Sequence, residues 1–266
     1  MKIAIIGKGL IGGSLFKASL RAGYEAVAFD KGETPIVNDA DVVLVAVPPS
    51  AVVAVVDSIA ALLKSGAMVV DVTGVKSAVC RELLKYATES RWTFVGGHPM
   101  AGREKAGFEN SLEQLFDGAS MILTPFPKSH REKLTELERF FKSLGFARVV
   151  YTDPKHHDEM IAYTSQLCHL ISSAYVREPL SAQHFGYSAG SFRDMVRVGA
   201  PDPDIWTELF FANREALLPV LSRYLERLLE FKSALETNDS ARLHAALEEG
   251  VSAKKVIAGA NQEPAS

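Results

Sequence analysis

Cysteine is scarce in this chain. Cys80 and Cys168 are the only two in 266 residues, and two thiols in different halves of a chain this long supply no disulfide framework. Both fall in helical patterns, which predicts small buried side chains rather than a redox pair. Long apolar runs are missing too: nothing reaches the length needed to span a bilayer. The first apolar stretch passes into glycines rather than a cleavage site, so the expectation is a cytoplasmic protein with no membrane span. Nor is there an excess of charge of one sign. With 29 Lys and Arg against 32 Asp and Glu, the net charge is −3, which argues against a nucleic-acid footprint. An anionic ligand would have to be held by locally placed cations. Repeats and low-complexity linkers are absent. What remains is 47% hydrophobic and 23% charged residues, enough to bury a core in one large or two modest domains.

The chain opens on its most informative stretch. Lys2–Ile6 is a β-branched run short enough for a strand buried on both faces. Gly7-Lys8-Gly9-Leu10-Ile11-Gly12 follows at once, opening a helix from Leu10 to Ala22 that Gly23 closes. Gly7 turns the chain, Gly9 lets the backbone approach a pyrophosphate, and Gly12 lets helix and strand pack closely. The phosphates would then lie at the helix N-terminus, beside Leu10 and Ile11. Tyr24–Phe29 forms a second strand, and Asp30 at its end is placed to accept hydrogen bonds from an adenosine ribose. Strand, loop, helix, strand and acid together predict a dinucleotide site, and the acid favours NAD.

Residues 31–40 are too few for a crossover helix and another strand. The third strand and its helix of the usual unit are therefore expected to be trimmed to a loop, leaving the second strand near a sheet edge. Asp41–Val47 is a buried strand stopped by Pro48-Pro49, after which Ser50 is expected to cap a helix to Lys64. Further strands are predicted at Met68–Val72, Thr93–Val95, Met121–Leu123 and Arg148–Tyr151, with helices over Val75–Thr88 and Ser129–Leu144. Val47 and Pro48, at the end of the Asp41–Val47 strand, and Thr73 and Gly74, after the Met68–Val72 strand, join the candidate cofactor contacts. Alternating strands and helices imply an α/β Rossmann-type parallel sheet covered on both faces. Beyond Asp153-Pro154 the apolar spacing is helical throughout, so the expected boundaries are residues 1–152 for the nucleotide domain and 153–266 for an all-α domain. Met160, Tyr163, Leu167, Leu170, Ile171 and Ala174 form one stripe expected to pack. Leu221–Phe231 is more apolar than a helix with one buried face requires; a place in the core would satisfy it, and an intersubunit seam in a homodimer is the expected outlet.

The sequence Gly96-Gly97-His98-Pro99-Met100-Ala101-Gly102 follows a strand on the side where open α/β sheets bind ligands. Together with the glycine loop, Asp71-Val-Thr-Gly-Val-Lys76, Ser165-Gln-Leu-Cys-His169 and Phe192-Arg-Asp-Met-Val-Arg197, it resembles the prephenate dehydrogenase family of tyrosine biosynthesis. The motifs occur in the family's order over essentially the whole chain. The resemblance implies oxidative decarboxylation of prephenate by NAD, giving 4-hydroxyphenylpyruvate, carbon dioxide and NADH. Hydride leaves the ring carbon that bears the hydroxyl, and loss of the ring carboxylate makes the ring aromatic. The protein must orient the ring and accept the hydroxyl proton.

The resemblance assigns that proton to His98, and substrate contacts to Ser165, His169, Gly190, Arg193, Arg197 and Trp206. Arg197 meets a carboxylate, Trp206 screens the pocket, and Asp194 joins Arg197 in a charge network; the plainer reading of Arg197 is a surface pair with Asp194 at i, i+3. Many relatives carry serine where Gly74 stands, so the hydroxyl that assists the histidine is missing or comes from Thr73. Alternatives are arogenate as substrate, dual cyclohexadienyl specificity, and a non-catalytic NAD sensor. The 3-hydroxyacid dehydrogenases use a helical lysine of the second domain, and from Asp153 to Val176 the only lysine is Lys155.

Overall fold

The computed structural model describes residues 1–86, 91–103, 105–126 and 131–260. The expected helix end at Thr88 and helix start at Ser129 fall outside them, as does most of the tail after Ala258. The first half of the chain runs β1 (Lys2–Ile6), α1 (Leu10–Arg21), β2 (Glu25–Phe29), β3 (Val42–Val45), α2 (Pro49–Ile59), β4 (Met68–Asp71), α3 (Ser77–Leu83), β5 (Thr93–Pro99), β6 (Ser120–Pro125), α4 (Arg131–Ser143) and β7 (Arg148–Tyr151). The strands form one sheet in the order β2-β1-β3-β4-β5-β6-β7. Side chains alternate between two cores. Ile3, Ile5, Val42, Leu44 and Val70 face Leu15 of α1 and Phe140 of α4. Ala4, Ile6, Val43, Val45 and Val69 face Val52 and Val56 of α2 and Val79 of α3. Burial on both faces is why these strands read as continuous apolar runs.

As expected, residues 31–40 hold only turns, and β2 is an edge strand. Three local expectations are corrected. The sheet is not parallel throughout, because β5 and β6 pair antiparallel, with His98 opposite Ile122. The described part of their connection holds only one short turn of helix, Phe108–Asn110, so no crossover helix returns the chain in the same direction. Second, β5 does not stop at Val95. Gly96 and Gly97 continue it, since a side chain at Gly97 would meet Met121 Cε at 2.6 Å and Val70 Cγ1 at 2.7 Å. Glycine inside a strand here marks close packing, not a loop, and His98 is a strand residue. Third, α2 is started by Pro48 and Pro49, with Ser50 inside its first turn, and it ends at Ile59 rather than Lys64.

After β7 the described elements are helical: α5 (Pro154–Ile161), a π-helical turn (Ala162–Gln166), α6 (Leu167–Val176), α7 (Gly190–Val196), α8 (Pro203–Ala212), α9 (Arg214–Glu236) and α10 (Ser240–Ala260). Asp153 caps α5 by accepting the His156 amide, and Asp202 caps α8 by accepting those of Asp204 and Ile205. The stripe expected to pack is partly exposed: Met160 and Tyr163 face outward while His157, Asp158, Ile161 and Ala162 are buried. The buried polar groups are hydrogen-bonded there, and the π turn shifts the helical phase by one residue. Cys168 is exposed, against expectation, whereas Cys80 is buried and burial raises its thiol to about 12.

Packing divides the chain into Met1–Leu217 and Leu218–Ser266. Helices α5 to α8 thus belong to the same compact unit as the sheet. The change from strands to helices near residue 152 is a change of secondary structure that precedes the packing division. In the second unit Leu225, Leu228 and Leu229 of α9 and Val251 and Ile257 of α10 are exposed. Among the described residues no helix is long and apolar enough to cross a membrane.

Candidate active site

The glycine loop leaves a cradle at the start of α1. Gly7 has φ +105°, and a side chain there would strike the Ala46 carbonyl; one at Gly12 would strike the Gly7 carbonyl. At Gly9 nothing lies within 4 Å of the Cβ position. Gly9 is the N-cap of α1 and offers its amides no side-chain acceptor, so the N–H groups at Leu10 and Ile11 open onto that space. Val47 Cγ1 lies 3.2 Å from the Cβ position at Gly7, which puts Val47 and Pro48 beside the loop. Asp30 is exposed at the end of β2, its Oδ1 accepting the Lys31 amide at 2.8 Å. Glu33, which sequence reasoning did not single out, accepts the Asp30 amide at 2.6 Å and pairs with Lys8 at 2.9 Å. Uncapped amides, a side-chain-free approach and a ribose-side acid fit a dinucleotide whose ribose hydroxyls are unphosphorylated.

Beyond the cradle lies a buried ion pair. Lys76 and Asp71 are both fully buried and in contact. Lys76 Nζ also donates to Thr73 Oγ1 at 3.1 Å, and that hydroxyl donates to Asp71 at 2.7 Å. Thr73 is therefore committed to the Asp71–Lys76 pair and does not supply a hydroxyl to His98. Gly74 does face the histidine: its Cβ position is 3.7 Å from His98 Nε2 and 3.4 Å from Leu209.

His98 Nδ1 lies 3.0 Å from His157 Nε2, and His157 Nδ1 lies 2.8 Å from Asp158 Oδ1. The Asp158 carboxylate also accepts the amides of Lys76 and Ser77, each at 2.8 Å. Burial, the neighbouring His157 and the Lys76 ammonium hold His98 well below the usual imidazole range. Burial also lowers His157, with Lys76 acting the same way against the raising pull of Asp158. For Asp158, burial alone would raise the pKa, but hydrogen bonds from His157, Ser77 and Lys76 outweigh it and leave the group lowered. The result is two neutral imidazoles on an ionised carboxylate. His157 gave no signal in the sequence, because a His-Asp pair in the first turns of a helix is ordinary.

Helix α8 connects this neighbourhood to the second histidine. Leu209 touches the Gly74 site, and Trp206, at i−3 on the same face, packs on His169 with ring centroids 3.7 Å apart. Gln166 ties the π turn to α8, donating to the Leu209 carbonyl at 3.2 Å. His169 Nδ1 bonds the Val198 carbonyl at 3.1 Å, leaving Nε2 for a ligand. Burial holds its pKa down, with the charge of Arg197 acting in the same direction against the Val198 bond. Ser165 is half-buried in the π turn, and Gly190 opens α7 on the surface. Arg193 and Arg197 are exposed four residues apart, on one face of that helix. The expected pair between Arg197 and Asp194 is not formed. Among the described residues no cluster of His, Cys, Asp and Glu fits a metal.

This combination of a dinucleotide cradle, a neutral base and two surface cations can carry hydride removal from an anionic alcohol. Known proteins agree. The model of the prephenate dehydrogenase nucleotide-binding domain matches residues 7–151, and that of the prephenate dehydrogenase dimerization domain matches 153–249. Cyclohexadienyl dehydrogenase of Zymomonas mobilis is 30% identical, with 89% of each chain covered. Prephenate dehydrogenase of Lactococcus lactis is 28% identical over 94% of this chain and 75% of that one. The crystal structure of prephenate dehydrogenase from Aquifex aeolicus, in complex with hydroxyphenyl propionate and NAD+, is 27% identical, with TM-score 0.82 over 97% of this chain and 98% of the other. The chain belongs to the prephenate dehydrogenase family and is an NAD-dependent oxidoreductase of tyrosine biosynthesis.

Proposed function

We propose that this protein converts prephenate to 4-hydroxyphenylpyruvate by oxidative decarboxylation, with His98 as the proton acceptor. One observation carries the assignment of His98: a neutral, partly buried imidazole whose Nε2 edge faces the Gly74 and Leu209 surface, in a chain of this family. NAD, when bound, supplies the hydride acceptor. The chain's own groups hold the ring, take the hydroxyl proton at Nε2 and leave the ring carboxylate free to depart as carbon dioxide. Uncapped amides of α1 hold the pyrophosphate and Asp30 the ribose. His169, its Nδ1–H held by the Val198 carbonyl and its ring steadied by Trp206, presents Nε2 to the substrate as an acceptor, and Arg197, with Arg193 beside it, takes a carboxylate. Hydroxyphenyl propionate, bound to the Aquifex aeolicus relative, has the aromatic ring and carboxylate side chain that the product would present.

Arogenate is the second reading, favoured by the cyclohexadienyl dehydrogenase name of the Zymomonas mobilis relative. Arogenate carries an ammonium, which needs acceptors in a desolvated pocket, whereas Arg193 and Arg197 can only donate and carry charge of the same sign. Prephenate is therefore the expected preference. Initial rates of NADH formation with each purified substrate at saturating NAD decide it, and a higher kcat/KM for arogenate would overturn the choice.

The protein acts in the cytoplasm as a homodimer joined through its helical region. The dimerization-domain match and the exposed leucines of α9 support the dimer. Sedimentation at micromolar concentration should give twice the chain mass.

A further inference from the structure

The contacts around His157 determine which nitrogen of His98 carries its proton. Two of the groups that Asp158 accepts are backbone amides, from Lys76 and Ser77, and these can only donate. The carboxylate is thus an acceptor on both oxygens, and the imidazole nitrogen at 2.8 Å from Oδ1 must be the protonated Nδ1 of His157. In a neutral ring the other nitrogen then has a bare lone pair. His157 Nε2 is consequently an acceptor, and the atom 3.0 Å away, His98 Nδ1, must bear hydrogen. His98 Nε2 is left unprotonated on the side of Gly74.

We propose that His157, locked by Asp158, is the positioning residue for His98: it fixes the Nδ1–H tautomer and so presents Nε2 to the substrate hydroxyl as a ready acceptor. The proposal rests on the reading of His98 as the proton acceptor. In the step, the substrate O–H bond breaks, its proton bonds to His98 Nε2, and the ring becomes an imidazolium whose Nδ1–H still points at His157. The electron pair of that O–H bond stays on oxygen and forms the carbonyl as hydride leaves for NAD. The charged and titratable groups around His157 are Asp158 on its own helix and, from β4 and the start of α3, Asp71 and Lys76, with His98 of β5 against its Nε2. His157 and Asp158 are 1% and 2% exposed, and the row ends on backbone amides. It offers no exit to solvent, so the proton leaves through Nε2 once product has gone.

The test is nitrogen-15 NMR of the full-length, substrate-free protein labelled at histidine, with the His98 signals assigned by their loss in His98→Asn. The expected result is a protonated Nδ1 and an unprotonated Nε2 on His98. His157→Phe removes the acceptor and should give mixed or inverted His98 tautomers. With prephenate, its kcat should fall about 10- to 100-fold while KM changes by less than about threefold. In His157→Gln the amide oxygen replaces the acceptor and the NH2 group donates to Asp158, restoring the Nδ1–H tautomer and most of kcat. A purely packing role predicts no such rescue. An Nε2–H tautomer in the wild type would overturn the proposal, as would normal kcat in a folded His157→Phe protein or a Gln variant no better than Phe. If His157→Phe fails to fold, the wild-type and Gln spectra decide. A wild type that turns over neither prephenate nor arogenate would defeat the functional reading instead, and the tautomer spectra would still judge the role of His157.

Discussion

The carboxylate of Asp158 accepts the backbone N–H of Ser77 at 2.8 Å, so that a residue from the first helix after the sheet caps a helix inside the nucleotide-binding half. It holds the Lys76 amide as well. Asp158→Ala would leave two buried amides and an imidazole N–H without their acceptor, and should cost about 1–3 kcal/mol in urea unfolding. The folded-state pKa of Asp158 is lowered, so its contribution is complete above the unfolded carboxylate value of about 3.9 and is lost as pH falls through the lower folded value. The stability gap between wild type and Asp158→Ala should accordingly be full at pH 7 and shrink below about pH 4. A gap that persists unchanged into strong acid would mean that the effect is packing rather than charge.

Replacing His98 by Asn should lower kcat by roughly 10²–10⁴-fold with a much smaller change in KM, because proton acceptance belongs to the transition state. His98 is held well below the usual imidazole value of 6.5, so its basic form persists as the solution is acidified. The acid limb of kcat/KM for the wild type should therefore lie below pH 6.5. A limb at or above that value would point to another base.

The nucleotide-binding half was largely legible in the sequence because its elements are set by local chemistry: β-branched runs, a glycine loop that tolerates no side chain at Gly7 or Gly12, and prolines that stop the apolar run of β3. Long-range pairing was not legible. Gly96 and Gly97 look like a loop until Met121 and Val70 are seen to crowd them. Nothing in the local sequence of α5 names the partners of Asp158, the amides of Lys76 and Ser77 some eighty residues earlier. His98, His169 and Arg197 were found through family motifs. His157 and Glu33 were missed because each acts through a contact between segments far apart or turned back on each other, with no characteristic local spacing.

Cofactor choice tests the second of these contacts. Asp30 and Glu33 place two carboxylates at the end of β2, and Glu33 also occupies Lys8, a cation of the glycine loop. A 2′-phosphate would meet negative charge there, so kcat/KM should favour NAD over NADP. The double variant Asp30→Ser, Glu33→Ser removes the repulsion and frees Lys8, and should shift the ratio towards NADP further than Asp30→Ser alone. Dissociation constants for the two nucleotides, read from quenching of protein fluorescence, should move in the same sense. Equal wild-type affinity for both would remove the role given to Asp30.

Arg197 offers the clearest separation between binding and stability. Its side chain is exposed, forms no ion pair among the described residues, and lies near enough to His169 to lower that group's pKa. A guanidinium without a protein carboxylate is available for a bidentate bond to a ligand carboxylate. Such a charge-assisted bond is worth about 1.5–3 kcal/mol and is present in both the bound ground state and the transition state, so losing it weakens binding without slowing the chemical step. Arg197→Ala should raise KM for prephenate by about 10- to 100-fold with kcat nearly unchanged. Because no folded-state bond of the side chain is lost, Tm should hardly move. A variant with lower kcat and normal KM would assign Arg197 to the transition state instead, and one with normal kinetics but lower Tm would return it to the fold.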